Sequence, residues 1–337
     1  MQRNQKTSEQ ELLQRFARMI QAKKTPGRGI VVGVGDDAAV IRPNPNEDLL
    51  VTTDVLVENR HFKRQWFSGF ELGWRLAAVN LSDIASMGGR PLYGVLSLAL
   101  PSNLAIAYAR AIERGVRDHL AACGATIVGG NVSGIESTLV VDLTLIGACA
   151  RGKAWRRACR PGRDSIVVVG YLGQARAGLD LLEKNPRASG ALVRAYKKPV
   201  PRLDVARLLA GERAIRGAID VSDGLSTDLI HVCEASAAGC EIDAELLPIS
   251  NALRAFCKRG RADPTSTALH GGEDYALILA VDSRKAADLA GRIEESLRVP
   301  ARVVGRFTER EGSYVLLGRG GRTAFSSEGW DHLRRRR

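Results

Sequence analysis

The chain lacks any pair of cysteines at C-x-x-C spacing; its six cysteines, Cys123, Cys149, Cys159, Cys233, Cys240 and Cys257, are scattered singly through 337 residues. That excludes the usual zinc knuckle and the disulfide framework of a small secreted domain, and predicts a reduced, cytoplasmic protein. No apolar run approaches the ~18 residues needed to span a bilayer, so no membrane contact is expected. Met1 to Gln14 is polar and charged, without the apolar core of a signal peptide. The GxxxxGK[ST] phosphate cradle is missing, as is the HRD and DFG pair of protein kinases, and the glycines from Gly29 to Gly35 fall short of GxGxxG spacing. Any nucleotide site in this chain must be built in another way.

At 337 residues with 45% hydrophobic content, the chain is long enough for two domains with sizeable cores. The formal net charge is +12, and most of the excess lies after Ala150, where 33 basic residues face 23 acidic ones. Such a surface attracts polyanions, whether nucleotide phosphates, nucleic acid or acidic membrane.

Ser8 and Glu11 form a capping-box pattern, and Leu12, Phe16, Met19 and Ile20 recur at helical spacing after it. Short apolar runs at Ile30 to Val32, Leu49 to Thr53, Leu92 to Leu100, Thr126 to Val128 and Leu139 to Ile146 read as strands. Helices are expected at Glu71 to Met87, stopped by Gly88, Gly89 and Pro91, and at Ala105 to Ala122. The basic segment Arg151 to Arg163, with Pro161 and Gly162, reads as a junction, giving domains at 1–150 and 151–337. The second half repeats the alternation: strands at Ser165 to Val169, Ala218 to Val221, Ala276 to Val281 and Val299 to Val304, with helices at Ala175 to Glu183, Ser226 to Ala238 and Ser283 to Leu297. Both halves are therefore α/β. Arg334 to Arg337 reads as a solvated tail.

Five loops place carboxylates beside glycine or small hydroxyl residues: GVGDD ending at Asp37, TTD at Thr52, Thr53 and Asp54, NLSD ending at Asp83, DVSDG from Asp220 to Gly224, and GGEDY from Gly271 to Tyr275. Hydroxyl and carboxylate oxygens together suit magnesium and, through it, phosphate. Asp83 is the most informative, because it continues the stripe Leu72, Leu76, Val79 on the inward face of its helix. A carboxylate there is costly unless a cation or donors meet it; backbone amides at the helix end are the plain alternative. Asp36 and Asp37 could equally form a solvated turn. Thr52 to Asp54 read as the end of a strand, as do Asp220, Ser222 and Asp223 before a glycine and a helix.

These motifs, together with TTDVLVENRHF, PLYGVLSLALP, LPIS and SEGWDHL in that order along the chain, resemble the thiamine-monophosphate kinases. That family belongs to a superfamily of ATP-dependent enzymes that includes aminoimidazole ribonucleotide synthetase. The resemblance implies an α/β (α+β) fold of two synthetase-like domains, with an N-terminal mixed sheet that pairs across a homodimer and a C-terminal α/β domain completing a substrate cleft. It implies that Asp37, Thr52, Thr53, Asp54, Asp83, Asn131, Asp220 and Asp223 sit among several Mg2+ ions. Gly130, Asn131, Arg156 and Ser222 would touch ATP, with Arg157 an alternative donor to Arg156. His61 would meet the phosphate of thiamine monophosphate, Glu273 its pyrimidine side, and Trp330 would cover it. The implied reaction passes the ATP γ-phosphoryl directly to that phosphate, giving thiamine diphosphate and ADP with no covalent nucleophile. Nucleic acid is not an expected partner.

One departure stands out. Where that family often writes GGDT, this chain writes Gly129, Gly130, Asn131, Val132, Ser133, so an amide replaces a ligand carboxylate. An amide oxygen coordinates magnesium but brings no charge. Two other readings follow: a sister ATP-dependent enzyme of the superfamily, and a nucleotide-binding paralogue that has lost turnover through Asn131. A sister with a reactive N-terminal cysteine is disfavoured, since no cysteine precedes Cys123.

Overall fold

The computed structural model describes residues 29–33 and 38–327. The helix expected after Ser8, the Asp36 and Asp37 turn, Trp330 and the arginine tail lie outside the described residues. The chain divides into two compact units, Met1–Ile84 with Gly89–Gly152, and Ala85–Gly88 with Lys153–Arg337.

In the first unit, β1 (Ile30–Val32) and β2 (Val40–Ile41) form a small antiparallel ribbon. A four-stranded sheet follows from β3 (Glu47–Val57), β4 (Arg90–Pro101), β5 (Thr126–Ile135) and β6 (Val140–Ala150), in the order β3-β6-β4-β5. β6 is antiparallel to both its neighbours, while β4 and β5 are parallel and joined through a helix. The helices are α1 (Gly69–Ser86) and α2 (Ile106–Ala122). Alternation along β3 divides its two faces: Leu50 and Leu56 are buried, whereas Leu49, Val51, Thr53 and Val55 are exposed. Among the described residues, helices cover only the first of these faces. A Cβ on Gly94 would meet Leu120 of α2 at 2.9 Å, and one on Gly147 would meet Ile84 of α1 at 2.9 Å.

α1 carries small or apolar residues nearly all round, and Leu72, Leu76, Ala77, Ala78, Leu81 and Ala85 are fully buried. Its crossing with α2 is backbone on backbone. A Cβ at Gly73 would lie 2.0 Å from the Ile112 carbonyl oxygen, and one at Gly115 would lie 2.2 Å from that of Phe70.

The second unit holds a seven-stranded sheet in the order β13-β12-β9-β11-β7-β10-β8. Its strands are β7 (Asp164–Val169), β8 (Ile215–Asp220), β9 (Gly239–Asp243), β10 (Leu277–Asp282), β11 (Ala301–Thr308), β12 (Tyr314–Gly318) and β13 (Gly321–Ala324). β7 and β10 are buried at every position, as central strands covered on both faces must be. Both β7 and β8 are antiparallel to β10, with Val169, Leu277 and Asp220 in one row. The loops after β7 and β8 and the loop before β10 therefore leave the sheet along one edge.

The helices of this unit are α3 (Gln174–Lys184), α4 (Ala191–Lys197), α5 (Leu203–Leu208), α6 (Leu225–Glu234), α7 (Asn251–Gly260), α8 (Pro264–His270) and α9 (Ala286–Leu297). The pattern reading had not resolved α4, α5, α7 and α8, which are ten residues or shorter. The start of α8 is nonetheless local chemistry, for Asp263 caps the amides of Thr265 and Ser266 at 3.0 Å each, with Pro264 in the first turn. Among the described residues no helix is long and apolar enough to cross a membrane.

Asp274 ties two of the edge loops together. Its carboxylate accepts the Gly173 amide through Oδ2 and the Ala175 amide through Oδ1, so it caps α3 from the loop before β10. Desolvation outweighs these bonds and, with a smaller push from Glu273, raises its pKa to about 7.

Two outcomes follow for stability. Gly73→Ala should cost about 1–3 kcal/mol in chemical denaturation through overpacking, whereas Gly291→Ala, exposed within α9 with nothing near its added Cβ, should gain about 1 kcal/mol. Because the folded-state pKa of Asp274 lies above its unfolded value, its contribution is fully present below about pH 4 and is lost as pH rises through about 7. Asp274→Asn should therefore flatten the fall in melting temperature between pH 5 and pH 8; a slope equal to that of the parent protein would show that this carboxyl is not the group responsible.

Candidate active site

The DVSDG and GGEDY segments meet along the sheet edge of the second unit, where a ladder of backbone bonds continues past the strands. Val221 N–H donates to the Ala276 carbonyl at 2.8 Å, Tyr275 N–H to Val221 at 2.9 Å, and Glu273 N–H to Ser222 at 2.7 Å. Only glycine fits at 272, because a Cβ there would lie 2.5 Å from the Ser222 carbonyl oxygen. Glu273 and Tyr275 both adopt left-handed backbone, with φ of 66° and 51°. Such conformations cost about 1 kcal/mol or more each and concentrate at functional sites. Behind the ladder, Ser226 Oγ and His270 Nδ1 lie 3.0 Å apart, pinning α6 to the end of α8.

Carboxylates crowd this turn. Asp220 closes β8 at 4% exposure, Asp223 follows it, and Asp228, 2% exposed on α6, accepts the amides of Asp223 at 3.0 Å and Gly224 at 3.1 Å. Desolvation, then the charges of Asp220 and Asp223, push the Asp228 carboxyl up to about 8. Asp228 went unremarked in the sequence, although it stands four residues after Gly224 where a loop-capping acid belongs. Arg156 lends its carbonyl to the Ala218 amide at 2.9 Å, so its segment runs along β8. The side chains of Arg156 and Arg157 are both exposed, which leaves the choice between them open.

In the first unit, Thr52 and Asp54 share the helix-covered face of β3, and the Thr52 hydroxyl donates to Asp83 Oδ2 on α1. These residues do not end a strand, as the sequence suggested, for β3 runs on to Val57. Thr53 turns to the opposite face, where its hydroxyl lies 3.2 Å from Asp142 Oδ2 and 3.1 Å from Thr144 Oγ1. Asn131 also falls on that face, paired with Ser97, which pairs in turn with Asp142. Gly130 packs its backbone against β4, since a Cβ would meet the Leu96 carbonyl oxygen at 2.2 Å. His61 sits in the turn after β3, with Nδ1 accepting the Val57 amide at 2.9 Å. That bond places the proton of the neutral ring on Nε2.

Asp37 and Trp330 lie outside the described residues. Among the described residues, no three His, Cys, Asp or Glu side chains are grouped as a ready-made metal cage. The donor chemistry still fits magnesium: hydroxyl and carboxylate oxygens adjoin at Thr52 and Asp83, and the crowding at Asp220, Asp223 and Asp228 is an excess of negative charge that a divalent cation relieves.

Residues 35–149 match the AIR synthase related protein N-terminal domain, and residues 164–318 match the corresponding C-terminal domain. A thiamine-monophosphate kinase of Bacillus subtilis (strain 168) is 34% identical over 85% of this chain and 88% of its own length. The crystal structure of thiamine-monophosphate kinase from Stenotrophomonas maltophilia K279a superposes with a TM-score of 0.78 at 32% identity, covering 92% of this chain and 96% of that one. A structure described as AaThiL complexed with AMPPCP and TMP gives 0.76 at 28% identity, covering 99% of both chains. Two synthetase-type domains of mixed α/β architecture, matched nearly end to end, place the chain in the AIR synthase related family, among the thiamine-monophosphate kinases.

Proposed function

We propose that the chain phosphorylates thiamine monophosphate at the expense of ATP, forming thiamine diphosphate and ADP, in the cytoplasm. One structural observation carries the reading. The loop with the surplus of carboxylates, Asp220 to Asp228, is stitched through backbone bonds to the loop that presents Glu273. A polyanion handled through cations thus lies one peptide ladder away from a side chain suited to a positively polarised heterocycle, which is the pairing that ATP and a thiamine phosphate require. The relative bound to AMPPCP and TMP supports the same substrates.

Phosphoryl transfer of this kind needs alignment and charge neutralisation more than a nucleophilic side chain, because the acceptor phosphate is itself the nucleophile. Bound Mg2+ would offset the negative charge of the ATP phosphates. We assign Asp54, Asp83, Thr52, Thr53 and Asp37 in the first unit, and Asp220 and Asp223 in the second, as ligands of several such ions. The Thr52 hydroxyl orients Asp83 toward the strand. His61 offers Nε2–H to the acceptor phosphate, its ring fixed by the Val57 amide. To ATP we assign a guanidinium from Arg156 or Arg157, together with Gly130, Asn131 and Ser222. Glu273 takes the pyrimidine side and Trp330 covers the substrate.

The protein also acts as a homodimer in this reading. Leu49, Val51 and Val55 stand 46%, 69% and 44% exposed along the face of β3 that no described helix covers. An apolar sheet face of this kind calls for a partner surface, and a second copy of the same sheet supplies one.

With MgATP and thiamine monophosphate the purified protein should form thiamine diphosphate, and thiamine itself should not be an acceptor. Asp83→Asn and Asp220→Asn should each lower the rate by about 100-fold or more; unaltered rates would remove the metal assignment, and no product from the parent protein would remove the kinase reading. Val51→Glu should shift sedimentation from dimer to monomer.

A further inference from the structure

His61, the residue assigned to the acceptor phosphate, stands midway between Glu58 and Arg64 in the turn that leaves β3. The near side of this turn is fixed by Val57. Its carbonyl accepts the amides of Arg60 at 3.1 Å and His61 at 2.9 Å, and its own amide donates to His61 Nδ1 at 2.9 Å. Asn59 takes left-handed backbone, with φ of 63°, and its amide donates to the Phe62 carbonyl at 2.7 Å. Phe62 is buried and packs edge to face on Phe67.

The far side is fixed by Glu58, whose side chain is only 9% exposed. Its Oε1 accepts Arg64 Nε, and its Oε2 accepts the Leu139 amide at 3.1 Å. The Glu58 amide donates back to the Leu139 carbonyl at 2.9 Å, so backbone and side chain together hold this residue to the segment that enters β6. One carboxylate thus ties the two ends of the turn to each other and the turn to the sheet, with His61 between them. A carboxylate is ill-placed here if charge alone counts. Arg60, His61, Lys63 and Arg64 make a set suited to a phosphate, and a negative charge beside them opposes one. What the carboxylate offers is two acceptor oxygens, one for a guanidinium and one for an amide. A glutamine cannot serve both, since its second group is a donor facing a donor.

We propose that Glu58 is a positioning residue for the acceptor phosphate, acting through His61: by bridging Arg64 and Leu139 it closes the turn and sets where the His61 imidazole stands. The inference deepens the kinase reading and rests on it for the identity of the phosphate. Charge and position predict opposite signs. Removing a negative charge with Glu58→Gln would by itself tighten phosphate binding, whereas opening the bridge loosens it.

The test begins with steady-state kinetics of the full chain with MgATP and thiamine monophosphate. Glu58→Gln should raise KM for thiamine monophosphate about tenfold, short of the ~100-fold that a 1 Å misplacement can cost. KM for ATP should stay within about twofold, because only the acceptor contact is disturbed. In a His61→Ala background the same substitution should change KM for thiamine monophosphate by less than about twofold, since residues acting through one contact are not additive. Arg64→Gln opens the bridge from its other end and should reproduce the rise. A lowered KM in Glu58→Gln, or a rise that persists without His61, would overturn the assignment. Imidazole 15N spectra at pH 8, with five histidines in the chain, give a readout free of turnover. The parent should show His61 as the single tautomer with its proton on Nε2, and Glu58→Gln should show averaged tautomers; an unchanged His61 spectrum overturns the assignment even where KM rises. A parent that forms no thiamine diphosphate removes the kinase reading alone, and the spectra then decide whether Glu58 sets His61.

Discussion

A carboxylate taken out of water must find a cation or a set of donors, and both units of this protein are organised around that requirement. In the second unit the crowding is severe: Asp220 and Asp228 are almost wholly buried, and Asp228 is driven toward its protonated form by desolvation first and then by the charges of Asp220 and Asp223. Two backbone amides reduce this cost without cancelling it. In the first unit the same problem is milder, since Asp83 has the Thr52 hydroxyl beside it. The crowding is an excess of negative charge of the kind that a divalent cation offsets.

The supporting structure is stiff where these groups need to be held. Asp83 rides on α1, a helix buried nearly all round and locked to α2 by glycines that admit no side chain. Asp220 ends an edge strand whose neighbour, β10, is buried throughout, and the backbone ladder beyond it holds Glu273 and Tyr275 in left-handed conformations. Strain at those two positions is tolerated because Gly272 allows the loops to approach within bonding distance.

Much of this was legible in the sequence, for physical reasons that differ from place to place. The stripe Leu72, Leu76, Val79 announced that Asp83 points inward, because helical period is a local property. Strand β8 and the turn after it were legible because apolar residues give way abruptly to Ser, Asp and Gly. The end of β3 was misjudged: Thr and Asp look like a terminus, yet cross-strand bonding to β6 carries the strand on through Val57. Helices α4, α5, α7 and α8 are too short for their periodicity to rise above composition. Asp228 is missed for a different reason. It lies within AIDVSDGLSTDL, just past the DVSDG turn, and its importance lies in the amides and carboxylates that the folded chain sets beside it.

That difference bears on how a substitution at a ligand position is to be judged. Along the sequence, Asn131 is a missing charge in a five-residue motif, and loss of function is the natural conclusion. Across the sheet, Asn131 is the end member of an outward row that runs through Ser97 to Asp142. Each strand in that row adds about 4.8 Å, so Asp142 stands about 9.6 Å from Asn131 at the Cα, and its carboxylate bonds to Thr53 on its other side. A helical site is spaced differently, since its ligands recur every three or four residues on one face. Strand spacing therefore limits which groups of a row can share one ion, and the amide at Asn131 is to be judged by the oxygens within one strand of it.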